Sequence, residues 1–290
     1  MRQLPGVTWL HADLLDVFDI EDAMRGVAEV YHCAAIVSFK KEDKEQLLHF
    51  NTESTANIVN EALLQGVRKM VYVSSIAALG RSKEGEPITE EEQWEESKYN
   101  SVYAMSKHRA EQEVWRGQGE GLEAVVINPG IIIGEGDWDT GSAALVKMVY
   151  EEFPYYTGGI NAWVDVADVV HAMYLLMKSS ITGERFIVSV GNFSYKDVFT
   201  QLAQAMKKKP PYKLAGPFMS GIVWRMSVLK SLLTGRASTL TKETATTAQR
   251  RAIYDNSRLT RALPEFTYTP FKTTVERIAG AYLLEKNGAL

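Results

Sequence analysis

Tyr103 and Lys107 stand four residues apart in the run Tyr103-Ala104-Met105-Ser106-Lys107. On a helix this spacing places the ammonium one turn from the phenol on the same face. A free tyrosine titrates near ~10, and a neighbouring positive charge favours the phenolate, so such a pair can pass a proton to or from a substrate oxygen near neutral pH. The apolar run Met70-Val71-Tyr72-Val73 ends in Ser74-Ser75, and a hydroxyl at the end of a buried strand can hydrogen-bond the same oxygen. Ser75, Tyr103 and Lys107 are therefore the candidate catalytic residues. By itself Tyr-x-x-x-Lys also fits a solvated helix face, so its surroundings must decide.

Those surroundings alternate strand and helix. Val7–Leu14 reads as a strand ending in an acidic turn, 19–27 as a short helix and 28–35 as a strand. A helix over 43–65 carries Ile58, Val59, Ala62 and Leu63 and closes at Gly66; strand 69–74 follows. A polar loop from Arg81 to Asn100 leads into the Tyr103 helix, which runs to about Trp115, and then strand 123–128. Gly117, Gly119 and Gly121 have the look of a dinucleotide fingerprint, but they follow a helix and precede a strand, so they read as an exit loop. Apolar strands alternating with helices predict an α/β fold, a doubly wound parallel sheet covered on both faces. Ligands bind such sheets at the carboxyl ends of the strands, where Asp13, Ala34, Ser75 and Pro129 all fall.

Five segments then occur in a telling order: Val30-Tyr31-His32-Cys33-Ala34-Ala35; Asn51 with Thr55 and Asn57; Val71-Tyr72-Val73-Ser74-Ser75 followed by Ala78-Leu79-Gly80; Tyr103 to Lys107; and Ile127-Asn128-Pro129-Gly130 with Gly134-Glu135-Gly136-Asp137. This string resembles the extended short-chain dehydrogenase/reductase family, which holds sugar-nucleotide epimerases and dehydratases, dihydroflavonol reductases and 3β-hydroxysteroid dehydrogenases. The resemblance runs from about Val7 to the region of Tyr268 and is most specific as far as Gly191. It implies a Rossmann-like domain, NAD or NADP as cofactor, and a small carbonyl or alcohol substrate. Tyr103 would donate the proton, Lys107 would depress its pKa and bind the nicotinamide ribose, and Ser75 would hold the oxygen. Also by resemblance, Asp13 and Leu14 would contact adenine, Ala34 and Ala35 would border the cofactor backbone with Val73 nearby, and Pro129, Gly130, Ile131 and Ile132 would touch the nicotinamide side. Asn51 either orders the site or anchors its helix.

Ser74-Ser75-Ile76-Ala77-Ala78-Leu79-Gly80 and Asn128-Pro129-Gly130-Ile131-Ile132-Ile133-Gly134 resemble the dihydroflavonol reductase and hydroxysteroid branch, and Ala77 stands where epimerases commonly carry threonine. A carbonyl reductase or alcohol dehydrogenase is thus expected. A sugar-nucleotide epimerase or dehydratase, or a non-catalytic cofactor-binding sensor, is the alternative. The glycine-rich phosphate loop of the family is not found in the sequence, nor is the second strand whose end selects NAD or NADP. An upstream strand–helix–strand unit of roughly 40 residues is accordingly expected to be lacking, leaving Val7–Leu14 detached or abnormally paired and dinucleotide binding weak.

With 290 residues, 46% of them hydrophobic, the chain can bury a large core plus a smaller lobe. We expect the dinucleotide-binding domain over 1–136 plus 164–190 and a mainly helical substrate lobe over 137–163 plus 191–290. A net charge of −4 argues against nucleic acid, and the five histidines show no metal-ligand spacing. The single cysteine, Cys33, fits a reducing, cytoplasmic setting and reads as a small buried hydrophobe; His32 reads as a packed histidine without a proton-transfer role. No signal-peptide pattern opens the chain and no apolar stretch reaches the ~20 residues that span a bilayer. A homodimer is compatible with the family.

Later signals are looser. Trp138, Phe153, Tyr155, Tyr156 and Trp163 read mostly as core, with Trp138 the leading candidate for a pocket wall. Asp168 is expected to cap or anchor a helix running to Met177, and 183–189 to form a strand of the main sheet. Phe218 to Leu233 forms an apolar stripe that fits a buried lobe helix, a membrane surface or a partner, and Tyr254–Leu259 is expected to pack back on the lobe.

Overall fold

The computed structural model describes residues 4–38, 42–80, 82, 86–97, 100–216 and 247–288. Its centre is a four-stranded, all-parallel sheet in the order β1 (Glu29–His32), β2 (Lys69–Val73), β3 (Glu123–Pro129) and β7 (Glu184–Val188). Side chains alternate between its faces, as the pleat requires. Met70, Tyr72, Ala124 and Val126 face α1 (Val17–Met24), α2 (Lys44–Leu64) and α3 (Val102–Gly119). Val71, Val125, Ile127, Phe186 and Val188 face α5 (Val166–Lys178). Each such fully buried side chain stabilises the fold by roughly 1.5–3 kcal/mol, so neither face can be stripped of its helices. Lys69, 1% exposed, reaches from the start of β2 to donate to the carbonyls of Leu176 and Ser179, satisfying the free end of α5 and fixing that helix across the sheet.

The segment 7–13 forms no strand, contrary to the reading of Val7–Leu14. Its alternation is strand-like, but a strand needs a ladder partner. Val7, Trp9 and Leu10 remain roughly half or more exposed, and Asp13 instead closes a turn by accepting from the Leu15 N–H. β1 is therefore an edge of the sheet among the described residues. Tyr31 and Cys33, on the same side of the chain, are both exposed, so Cys33 is not the buried hydrophobe expected.

A second, three-stranded sheet joins β4 (Ile131–Ile133), β6 (Ile160–Asp165) and β8 (Gly191–Ser194), with β4 parallel and β8 antiparallel to β6. A third pairs β5 (Tyr155–Tyr156) with β9 (Lys213–Leu214). The region after Gly134 thus carries more strand than its sequence announced, because these strands are short and their aromatics are spaced irregularly. Behind the second sheet, α4 (Ala143–Tyr150), α6 (Tyr195–Ala205) and α8 (Phe271–Lys286) enclose Trp163, Phe199, Leu202 and Ile278. Trp138 belongs to this core: it lies edge-on to Tyr282 and its indole N–H donates to Glu285 at 2.7 Å, so it is no pocket wall.

Two further expectations are refined. Asp165 caps α5 by accepting from the Ala167 N–H, while Asp168 anchors the same helix by holding the N–H and hydroxyl of Thr269 at 3.0 and 2.8 Å. Tyr254 is held by Asn192 of the second sheet, but the residues after it return to the large sheet instead of the lobe: Leu259 on α7 (Ser257–Ala262), Leu263 and Phe266 pack with Val125, Ile127 and Phe186. The stripe from Phe218 to Leu233 lies outside the described residues.

Between β3 and β4, Gly130 approaches β6 so closely that a Cβ there would sit 2.6 Å from the Ala162 carbonyl oxygen. That neighbour is backbone and cannot yield cheaply. Gly130→Ala is therefore expected to destabilise the fold by about 1–3 kcal/mol, seen as a lower denaturant midpoint; an unchanged midpoint would show that the two sheets can slide apart freely.

Candidate active site

Three elements carry the chemistry. β2 ends at Val73, and Ser75 follows as the cap of a short 3₁₀ turn, Ile76–Ala78, its Oγ accepting from the Ala77 N–H at 3.1 Å. Ser101 caps α3 through the Ala104 N–H at 2.9 Å, which starts that helix just before Tyr103. The Ser75 side chain neighbours the Tyr103 phenol and pulls its pKa down against burial. One turn on, Lys107 is 2% exposed and donates to Tyr72 Oη at 2.7 Å and the Val73 carbonyl at 2.8 Å. The structure thus brings Ser75, Tyr103, Lys107 and Val73 into one cluster.

Its electrostatics differ from the simple expectation. Burial dominates Tyr103 and raises its pKa, with the Ser75 side chain pulling the other way. Burial also pushes Lys107 down to about 8, against the pull of Glu111 and Cys33. Lys107 therefore acts first on Tyr72 and Val73.

Beneath it Thr55 donates to the Asn51 carbonyl at 2.8 Å, and His32 Nε2 lies 3.0 Å from the same Thr55 oxygen. With the Thr55 proton on the Asn51 carbonyl, the tautomer that suits this contact carries its proton on His32 Nε2. Burial, then the Lys107 charge, depresses His32 to about 3, leaving it neutral and structural as expected. Tyr72 is raised by its burial.

The other candidate residues are held by the elements that flank the sheet. The loop holding Ala34 and Ala35 is fixed by Asn51, whose amide accepts from the Ile36 N–H at 2.7 Å and donates to the Ile36 carbonyl at 3.0 Å and Ser106 Oγ at 2.9 Å. Asn51 thereby orders the loop after β1 as well as joining α2 to α3. Leu14 is tied to the same helix, its carbonyl accepting from Asn57, while Asp13 sits in its turn with its N–H on Asp19. Pro129, Gly130, Ile131 and Ile132 form the step from β3 to β4, where the glycine answers to the packing of Ala162.

Two residues central to the geometry were given no role by the sequence. Glu111, fully buried, accepts from Ser74 Oγ at 2.6 Å, Asn128 at 3.0 Å, Arg185 at 3.1 Å and the Trp115 indole at 3.2 Å. Asn128 also donates to the Ser75 carbonyl at 3.0 Å. The available signal was a carboxylate on the buried stripe of α3, which runs through Ala104, Lys107, Glu111 and Val114.

Comparison with known proteins places this arrangement. The profile described as NAD dependent epimerase/dehydratase family matches residues 2–191. The chain belongs to that family. Among relatives, a Synechocystis sp. protein provisionally named dihydroflavonol 4-reductase is 32% identical over 213 residues, covering 70% of this chain and 60% of that protein. Cinnamoyl-CoA reductase 1 of Petunia hybrida is 29% identical over 224 residues, covering 72% and 66%. The chain thus spans 60% and 66% of the lengths of these two family members. The crystal structure of a Thermus thermophilus UDP-glucose 4-epimerase in complex with NAD shares the family fold at a TM-score of 0.72 and 22% identity, covering 96% of this chain and 85% of that one.

Proposed function

We propose that the protein is an NAD(P)-dependent oxidoreductase that reduces a carbonyl or oxidises a secondary alcohol. The observation that carries the proposal is the meeting of Ser75, Tyr103 and Lys107 at the carboxyl end of β2, with the serine beside the phenol and the lysine buried one turn beyond. The nicotinamide end of the cofactor fits this ground: two of the three Lys107 N–H groups are committed to Tyr72 and Val73, leaving one to donate to a ribose hydroxyl, and Asn51 pins the Ala34–Ala35 loop beside it. When bound, the nicotinamide supplies or accepts the hydride. Tyr103, kept in its phenol form by burial, donates the proton to the oxygen of a carbonyl being reduced, and Ser75 holds that oxygen. In alcohol oxidation the same two groups act in reverse.

The reductase reading is favoured over an epimerase by Ala77 and by the names of the two relatives above. A homodimer and a reducing cytoplasmic compartment go with this reading; among the described residues no helix is long and apolar enough to cross a membrane.

The pyrophosphate end is different. Among the described residues, no glycine-rich turn leads from a strand of the large sheet into a helix N-terminus, the device that usually holds a dinucleotide's phosphates. The 290-residue chain alone is thus expected to bind NAD and NADP weakly in calorimetry; tight binding would require another phosphate site. Turnover should therefore be screened at millimolar dinucleotide over ketones, secondary alcohols and sugar nucleotides. Stoichiometric change in nicotinamide absorbance supports the oxidoreductase reading. Sugar interconversion without net change would favour the epimerase, and saturable binding without any turnover would overturn catalysis.

A further inference from the structure

Ser75 can hold a substrate oxygen only if its peptide is fixed relative to Tyr103, and the contacts that fix it converge on one carboxylate. Glu111 grips the residue before Ser75 through Ser74 Oγ, and it grips Ser75 itself through Asn128, whose amide bridges the Glu111 carboxylate and the Ser75 carbonyl. The bridge is directional. Asn128 gives its N–H₂ to these two acceptors while its buried Oδ1 has no partner among the described residues, so turning the amide over would set oxygen against both oxygens. The far side of the carboxylate is braced by Arg185, which also donates to the carbonyls of Glu90 and Glu92, and by Trp115.

Glu111 also lies one turn beyond Lys107 on α3. The groups facing Lys107 are Tyr72 from β2, His32 and Cys33 from the end of β1, and Glu111 from its own helix. Tyr72 and His32 are neutral, and of that set Glu111 pulls hardest toward a protonated Lys107.

We propose that Glu111 is a positioning residue for the reaction, holding the Ser75 peptide against Tyr103 and supplying the buried countercharge for Lys107. This rests on the oxidoreductase reading of the same site. The role divides into two parts, geometry and charge, and two substitutions separate them. Glu111→Gln keeps the length and loses the charge. Glu111→Asp keeps the charge and falls short of Ser74 and Asn128.

The test measures steady-state kinetics against pH, and the Lys107 titration by ¹⁵N NMR, in the wild type and both variants. Arg185→Gln with Glu111→Gln serves as a folding control that leaves no unpaired buried cation. Glu111→Gln should lower kcat by about 10- to 100-fold, the scale of a small displacement at a reacting centre, with dinucleotide affinity within about twofold. It should also move the Lys107 titration down by about one unit, because the negative neighbour is gone. Glu111→Asp should restore most of that titration but not kcat. An unchanged kcat in Glu111→Gln, or a loss entirely in KM, would overturn the geometric role; an unmoved Lys107 titration would overturn the charge role. A wild-type chain that binds dinucleotide without turning over any substrate defeats the oxidoreductase reading alone, and the Lys107 titration still decides the countercharge.

Discussion

Replacing Tyr103 by phenylalanine is expected to cut turnover by a factor of about 100 or more, the scale of losing a positioned general acid, while the fold and dinucleotide affinity stay in place. One oxygen leaves and nothing is stranded: Ser75 still accepts from the Ala77 N–H and still caps its turn. The aromatic ring keeps its place in the first turn of α3, so melting temperature should hardly move. Burial raises the Tyr103 pKa, which places the group in its acid form at neutral pH and suits carbonyl reduction. Alcohol oxidation, which draws on the phenolate, should accordingly rise with pH in the wild type. Equal activity in the phenylalanine variant would remove Tyr103 from the mechanism.

Lys107→Met should have an effect of the same order on kcat/KM, and it should also change the pH behaviour in two ways. Kinetically, the phenol loses a cationic neighbour buried one turn away, so the pH needed for alcohol oxidation moves upward and dinucleotide affinity falls. An unshifted profile would confine Lys107 to fastening β2. The second change is thermodynamic. Burial lowers the Lys107 pKa from 10.5 to about 8, so between those values the unfolded chain binds more protons than the folded one, and this group makes stability rise with pH across that window. Methionine cannot titrate, and that rise should vanish from melting curves taken from pH 8 to 10.5. If wild type and variant keep the same slope there, burial does not lower the Lys107 pKa.

How much of this was legible in the sequence depended on how local each signal is. The large parallel sheet could be read because Val71, Val125 and Ile127 lie in uninterrupted apolar runs bounded by helices of regular period. Ser75, Tyr103 and Lys107 could be read because one helix turn and one strand end place them. What was hidden depended on distant partners. Val7–Leu14 has the pattern of a strand, but no described strand pairs with it. Glu111 looks like any helix glutamate until Ser74, Asn128 and Arg185 arrive from three other segments. Asp165 and Asp168 both suit a helix start, and only Thr269, 101 residues further on, shows that the second is a tie to another segment. Cys33 misled for the same reason: its apolar neighbours suggested burial, but no described element covers that face of β1.

The return of the residues after Tyr254 to the large sheet has a consequence for how the molecule comes apart. Asn192 on β8 clasps both the N–H and the carbonyl of Tyr254, Tyr268 accepts from the Ser189 N–H, and between them Leu259, Leu263 and Phe266 lid the strands that carry Val125 and Phe186. The segment from Tyr254 to Tyr268 is therefore sewn to the second sheet at its start and to the end of β7 in the first at its close. A fluctuation that peels α7 away bares the interior of the catalytic sheet, and a fluctuation that loosens β8 releases the clasp on Tyr254. Neither half can open at a low energy of its own, so the two share one cooperative unit, and amide protons of Phe186 and Trp163 should exchange through the same opening.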